Sequence, residues 1–529
     1  MKSISRLVVV LALLAVNVSW AGMMETVPTG EEVYRWVYEY LDELYARGLI
    51  SDLHVGTRPY FRGKVAHELR SLRGKIDEGM LSLAWPEEYL LEELEKEFSG
   101  EISQLMSGET SADGGQIRKT FSWGLDFEEG SSFKASEKAA FRETFCPYVK
   151  AQIGPNFFAC TRYTLDESLA KDSDYDGKVW RGFAGDAAQA YLAFNLPYLK
   201  MLLGRERVAW GQKPAGGLIL SENAFPLDML KIQGGWGVFQ VSSFIAFLSS
   251  IQKADSSGEI ARENRYISGH RISLNLFSKI QLGLSETVIY GGEDRQVEAY
   301  YLNPLLWYHG AQMNEKRDDN TFFAFDFNLR PKRDVLLYGE FLIDDLQIEK
   351  KSQGDKEPNE LAYFGGLSVL DPFGLRATEI NAEYMRINNW TYNQVEERNR
   401  YLNRNRLLGN PLGPDTDRIR LSFSRWLRRG LKSTLSYQKT RSGEGSVNSP
   451  WSQPWMTAQG EYKEKFPSGV VETEDNFGLT LQYRYSNALS CKLMWDYLAF
   501  ANYQNIENRE EDYNQVSLNL SYHFQGVLY

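Results

Sequence analysis

After its first twenty residues the chain has no apolar run near the ~18 residues that a membrane-crossing helix needs. A helical membrane protein is therefore excluded. A mean hydropathy of −0.42 matches a water-soluble average, but it leaves room for a β-barrel, whose strands alternate apolar and polar residues. Tracts of Lys or Arg are also missing and the net charge is −11, so no nucleic-acid partner is expected. His and Cys are scarce, at five and three, and their scatter fits no metal or cofactor site.

Aromatic residues, by contrast, are plentiful. The 529 residues include 30 Tyr, 28 Phe and 13 Trp, and membrane barrels carry aromatic girdles at both interfaces. At the N-terminus Lys2 and Arg6 precede an apolar stretch over 7–16, and Ser19-Trp20-Ala21 offers small residues where a signal peptidase reads. Residues 1–21 are predicted to be a signal peptide.

Residues 22–110 read as a helical segment expected in the periplasm. Val33, Trp36, Val37, Tyr40, Leu41 and Leu44 have helical spacing, with a cap predicted around Thr29-Gly30-Glu31-Glu32. Phe61, Val65, Leu69 and Leu72 repeat the pattern. So do Leu90, Leu91, Leu94, Phe98, Ile102 and Leu105, giving three predicted helices.

Over 111–529 the period becomes two. In 477–486, Phe477, Leu479, Leu481, Tyr483 and Tyr485 alternate with polar or small residues. Ile272, Leu274 and Leu276 do the same, as do Phe323, Phe325, Phe327 and Leu329, and the final run ending in Phe524. A β-sandwich would also alternate, so the connections decide. Short turns near 153–156, 197–199, 234–235, 277–280, 331–333, 372–374, 428–430 and 487–488 take strict turns with nine long loops. That sorting is the mark of an antiparallel transmembrane β-barrel of about 18 strands in the outer membrane. Lipid and the barrel-insertion machinery are then its first partners. Cys146 and Cys160 flank the turn at 153–156, so a disulfide between them and two packed thiols are both open readings.

Several short motifs then occur in order. They are Tyr38-Glu39-Tyr40-Leu41-Asp42-Glu43-Leu44, Arg58-Pro59-Tyr60-Phe61-Arg62, Gly204-Arg205-Glu206-Arg207-Val208-Ala209-Trp210-Gly211, Leu220-Ser221-Glu222-Asn223-Ala224, Leu302-Asn303-Pro304 and Tyr338-Gly339-Glu340. Together they resemble the Wzi-type capsule-assembly family of outer-membrane proteins. The resemblance implies a barrel with a periplasmic helical bundle, acting as a surface lectin that organises capsular or exported polysaccharide.

Arg205, Arg207, Trp210 and Asn223 could contact a sugar through hydrogen bonds and stacking. The favoured alternative is that they pair inside the lumen and pin the 211–226 loop, since polar lumen groups must be satisfied in any barrel. The 389–417 loop, with Trp390 and Tyr392, and the 442–474 loop, with Trp451 and Trp455, are the other polysaccharide-binding candidates. Catalysis is not expected: His270 and His309 flank outer loops, but no motif sets a nucleophile beside either. The rival reading is a porin or solute channel whose helical head tethers it to the cell wall. A lectin should be plugged by inward side chains and the 211–226 and 292–319 loops, whereas a porin should be open.

Overall fold

The computed structural model describes residues 22–107, 119–134, 139–173, 175–212, 217–254, 260–315, 318–347, 352–353 and 356–528. The predicted signal peptide lies outside them. Four helices come first: α1 (Glu32–Ala46), α2 (Arg62–Asp77), α3 (Trp85–Glu97) and α4 (Ser99–Ser107). The third helix predicted from the sequence is broken at Phe98, whose φ/ψ of −100°/18° leaves the helical region. The predicted cap is not made. Glu31 takes the N-cap position without a side-chain bond, and the Thr29 hydroxyl donates to Glu222 instead.

Eighteen antiparallel strands follow and close into one barrel. They run β1 (Lys119–Lys134), β2 (Ala140–Ile153), β3 (Phe157–Asp166), β4 (Phe183–Leu196), β5 (Leu199–Glu206) and β6 (Leu227–Trp236). Next come β7 (Phe239–Ala254), β8 (Ile260–Leu276), β9 (Ile280–Glu293), β10 (Asn320–Lys332), β11 (Val335–Asp345) and β12 (Glu360–Leu370). The last are β13 (Thr378–Ile387), β14 (Thr416–Arg428), β15 (Leu431–Ser442), β16 (Glu472–Arg484), β17 (Leu489–Ala501) and β18 (Glu511–Leu528). β18 pairs with β1, for example Phe524 with Leu125, and leaves no free edge.

Short turns and long loops alternate as predicted. One turn is displaced: Gly234 and Gly235 stay in β6, and the bend falls at Gly237, whose φ of +57° suits glycine. The alternation sends Phe323, Phe325, Leu421, Leu435 and Leu493 outward, where they stay exposed to the membrane. Asp326, Glu340, Ser368 and Arg271 point inward and are buried.

The helices pack across the short-turn end and share one apolar core with it, through Trp426 and Ala377. Trp426 packs edge-on against Tyr40 and Tyr89, with ring centres 5.6 Å away in both cases, and its Nε1 donates to Glu43 at 3.1 Å. The fully buried Arg47 bridges Glu43 at 3.1 Å and Asp371 of a short turn at 3.0 Å. Arg333 reaches Glu87 at 2.5 Å and Arg429 reaches Glu92 at 2.9 Å. The helical head is therefore a floor fastened to the turns, and its burial in that interface accounts for the unbroken apolar face of α1.

The cysteines are free thiols. The β2–β3 register sets Lys150 opposite Cys160, while the Cys146 thiol contacts the Thr164 hydroxyl at 3.5 Å. Four residues of offset along the ladder hold the two sulfurs too far apart for the bridge left open above.

Candidate functional site

Three segments of the chain meet inside the barrel. Residues 51–58, after α1, rise into the lumen, where Thr57 and Arg58 pair with Trp210 and Ala209 as a short two-stranded ladder. The Gly211 N–H donates to the Gly56 carbonyl at 3.1 Å. Residues 207–212 and 217–226 thus fold inward and lie against Glu340, which accepts from the backbone N–H groups of Gln212, Leu218 and Ile219 at 3.2, 3.0 and 3.2 Å. Above it the 388–415 loop caps the stack. Tyr392 donates to the Leu218 carbonyl at 2.6 Å and Tyr401 to the Ile219 carbonyl at 2.8 Å. Beneath them Arg271 pairs with Asp326 at 2.5 Å and also donates to Thr57 at 2.9 Å and Ser285 at 2.9 Å. Gly211 is needed here, because its φ is +96° and a Cβ would sit 2.3 Å from the Glu340 carboxylate.

The sequence-predicted residues are mostly absorbed by this packing. Trp210 is buried with its ring 5.3 Å from Phe244. Arg207 donates to the Glu222 and Ala224 carbonyls, and the Asn223 amide donates to Leu407 at 3.0 Å, so both pin the loop. Arg205 instead lies outside the lumen network, held by Asp228 at 2.6 Å. Trp390, Trp451 and Trp455 pack edge to face, with ring centres 5.1–5.9 Å apart. Trp390 and Trp455 are buried, and the Trp390 indole donates to Glu464 at 2.9 Å. Burial lifts the Glu464 carboxyl above its ordinary range, against hydrogen bonds from Trp390 and Asn389 that lower it. Tyr392 is fully buried in the plug. In the 389–417 loop Arg398, Arg404 and Arg406 are all ion-paired, to Asp318, Asp186 and Asp172 respectively.

The 292–319 loop departs most from expectation. It does not enter the lumen, because Tyr301 and Tyr308 pack onto the outward-facing Tyr266, Val288 and Tyr290. Its place in the plug is taken by the 388–415 loop.

A second part of the lumen carries no plug among the described residues. On β14–β18 most inward side chains toward the long loops stay part-exposed, Thr440 excepted, in contrast to their buried counterparts on β7–β10. Cross-strand pairing orders them in rows. One row runs Arg418, Thr440, Glu474, Phe500 and Glu511, and the next runs Arg420, Gln438, Asn476, Leu498 and Tyr513. Phe500 and Tyr513 stack at 6.0 Å, Tyr503 meets Phe500 edge-on at 5.0 Å, and the Lys134 ammonium lies 4.0 Å over Tyr513. The floor is the head, where Lys432 meets Glu43 at 3.3 Å and Lys492 meets Glu32 at 3.4 Å. Aromatic faces beside amides, acids and bases can take the apolar and hydroxyl faces of a sugar together. Sequence reasoning missed this cleft. Its only signal was that Phe500 and Tyr513 occupy the inward register of strands whose outward register is already aromatic.

Fold and interior define a transmembrane β-barrel crossed by its own chain, with a polar-aromatic cleft left open at the long-loop end. The model of the capsule assembly protein Wzi family matches residues 103–515, and the chain belongs to that family. Among solved structures it is similar to Wzi of Escherichia coli, described as a carbohydrate-binding outer-membrane β-barrel involved in group 1 capsule assembly. Identity is 14%, the TM-score is 0.60, and the match covers 94% of this chain and 98% of that one. Pseudomonas aeruginosa OccD3 matches with 9% identity and a TM-score of 0.45, over 79% of this chain and 96% of its own. OprD of the same organism matches with 11% identity and a TM-score of 0.43, over 79% and 96%. No curated protein sequence matches the chain.

Proposed function

We propose that the protein works in capsule assembly as a non-catalytic, lectin-like barrel that holds surface polysaccharide in the open half of its lumen. The observation that carries this reading is the cleft along β14–β18, where part-exposed Phe500, Tyr503 and Tyr513 stand beside Gln438, Glu474 and Asn476 above a closed floor. The plug built from residues 51–58, 207–212, 217–226 and 388–415 supports retention over passage. Both the helical head and the C-terminal strand end at the short turns, which supports a periplasmic head and long loops at the cell surface. The aromatic end of β18, at Phe524, is the segment the insertion machinery would read during biogenesis. Binding without chemistry fits the surroundings of the histidines. His270 contacts Glu286 at 3.4 Å, but the neighbouring Ser243 hydroxyl donates to the Leu302 carbonyl instead of activating against the ring.

The test is binding of the organism's purified surface polysaccharide to the full-length protein, against a Phe500→Ala/Tyr513→Ala variant. An aromatic contact is worth about 0.5–1.5 kcal/mol, so losing two lowers affinity about tenfold or more while the unfolding midpoint stays close to that of the parent. Equal affinity in the two proteins rejects the cleft as the site.

A further inference from the structure

The outer wall of the barrel breaks its own pattern in one place. Cross-strand pairing puts Ser243 opposite His270, His270 opposite Glu286, and Glu286 opposite Phe323. The next outward position below Glu286 is Leu284, and both Leu284 and Phe323 are exposed to the membrane. Glu286 is six steps along β9 from Ile280 at the short-turn end. At ~3.3 Å per residue and a tilt near 40°, that is about 15 Å up a belt about 25 Å tall. A serine, a histidine and a glutamate therefore stand on the wall at lipid depth.

The 294–319 loop covers them. It descends through a turn at Ala299–Leu302 and returns through α5 (Tyr308–Glu315). Glu286 accepts from the backbone N–H groups of Tyr308 and His309 at 3.0 and 2.8 Å, and Ser243 donates to the Leu302 carbonyl at 2.9 Å. The Tyr308 hydroxyl donates to the Tyr301 carbonyl at 2.6 Å, and the Tyr308 ring lies 4.4 Å from His270. At the upper end Arg295 and Tyr301 are fixed to Asp319. The wall's polar row thus takes up three backbone groups of an irregular segment, the Tyr308 and His309 N–H groups and the Leu302 carbonyl, and irregular backbone at membrane depth needs such protein partners on its inner side. At its tip Leu305 is 83% exposed and Trp307 66% exposed, over a wall whose Leu284 and Phe323 are exposed as well.

We infer that residues 299–312 form a lipid-seated strap on the outside of the barrel, with Leu305 and Trp307 in contact with the acyl chains of the leaflet on the long-loop side. The strap replaces a stretch of annular lipid and makes the polar row on β7–β9 compatible with the membrane. It is a contact with lipid, distinct from the polysaccharide site, and depends on the barrel fold alone.

The test is spin labelling of full-length protein in phospholipid bilayers. Leu305→Cys and, separately, Trp307→Cys are compared with Val395→Cys on an exposed surface loop, all in a Cys491→Ala background with the buried Cys146 and Cys160 retained. Labels at 305 and 307 are expected to be relaxed several-fold more by oxygen than by a water-soluble nickel chelate, with the reverse at 395. Nickel accessibility at 305 and 307 equal to that at 395 overturns the inference. Spin–spin broadening at 305 or 307 also overturns it, since the occupant of that surface is then a second copy of the chain.

Discussion

The two halves of the lumen are built from the same alternating strands and end in opposite states. Along β7–β10 incoming or facing groups partner the large inward residues: Arg271 with Asp326, Gln281 with the Leu53 carbonyl at 2.6 Å, and Arg330 with the Tyr45 and Ile50 carbonyls at 2.5 and 2.9 Å. Along β14–β18 the inward residues are just as polar, yet among the described residues no segment comes down to meet them above the floor. The difference lies in where the loops go. Residues 207–212, 217–226 and 388–415 turn inward over one half, while 443–471 packs its tryptophans into a knot at the rim. A polar wall with its partners supplied is structure, and a polar wall facing water is free to bind.

The packed half is most sensitive at its buried ions. Arg271→Ala leaves Asp326 unpaired in the interior, and breaking a buried pair costs about 3–5 kcal/mol. Denaturant unfolding of this variant should show a loss of that size, whereas Lys492→Ala, at the partly exposed pair with Glu32 on the open side, should change little. Equal losses would erase the distinction between packed and wet walls.

Acid should loosen the head next. Burial holds His54 down at about 4, assisted by Lys64 and Arg271, and Asp52 opposes this. A depressed histidine is uncharged in the folded state, so its contribution to stability is complete above about pH 6.5 and is lost as pH falls toward 4. The full loss is about 3 kcal/mol. His54→Gln should flatten the fall in stability between pH 6.5 and 4.5, and a slope identical to the parent's would remove His54 from the docking account.

Gly211→Ala forces a side chain into a left-handed position against Glu340 and should cost about 2 kcal/mol. Its sharper readout is hydrogen exchange, with faster amide exchange at Leu218 and Ile219 and unchanged exchange in β16–β18. Faster exchange on both sides would mean the halves are not independent. The smallest effect belongs to the cleft, where Gln438→Ala should leave unfolding within about 0.5 kcal/mol and weaken polysaccharide binding about threefold. A stability loss above that, with binding intact, would make Gln438 structural.

Much of the barrel was legible in the sequence because period two and turn chemistry are local signals. Phe323 to Leu329 and Phe477 to Tyr485 declare their faces without help, and the eighteen-strand closure follows from the alternation of short and long connections. The interior was less legible. Nothing local tells that Tyr392 donates to a carbonyl 174 residues away, or that the 292–319 loop turns out while 388–415 turns in. Trp390, Trp451 and Trp455 read as exposed loop aromatics, but burying an indole depends on which loop lies beneath it. Phe500 and Tyr513 sit in the lumen register of their strands, and they become a cleft only because no loop among the described residues fills the space beside them.

Conductance of the full-length protein in a planar bilayer tests the divided lumen most directly, measured for the parent and for Gly211→Ala without polysaccharide and then with it. The account predicts a nearly silent parent, and openings in the variant that the surface polysaccharide reduces from the long-loop side. Large, steady openings of the parent, unaffected by polysaccharide, would contradict it and make the molecule a channel.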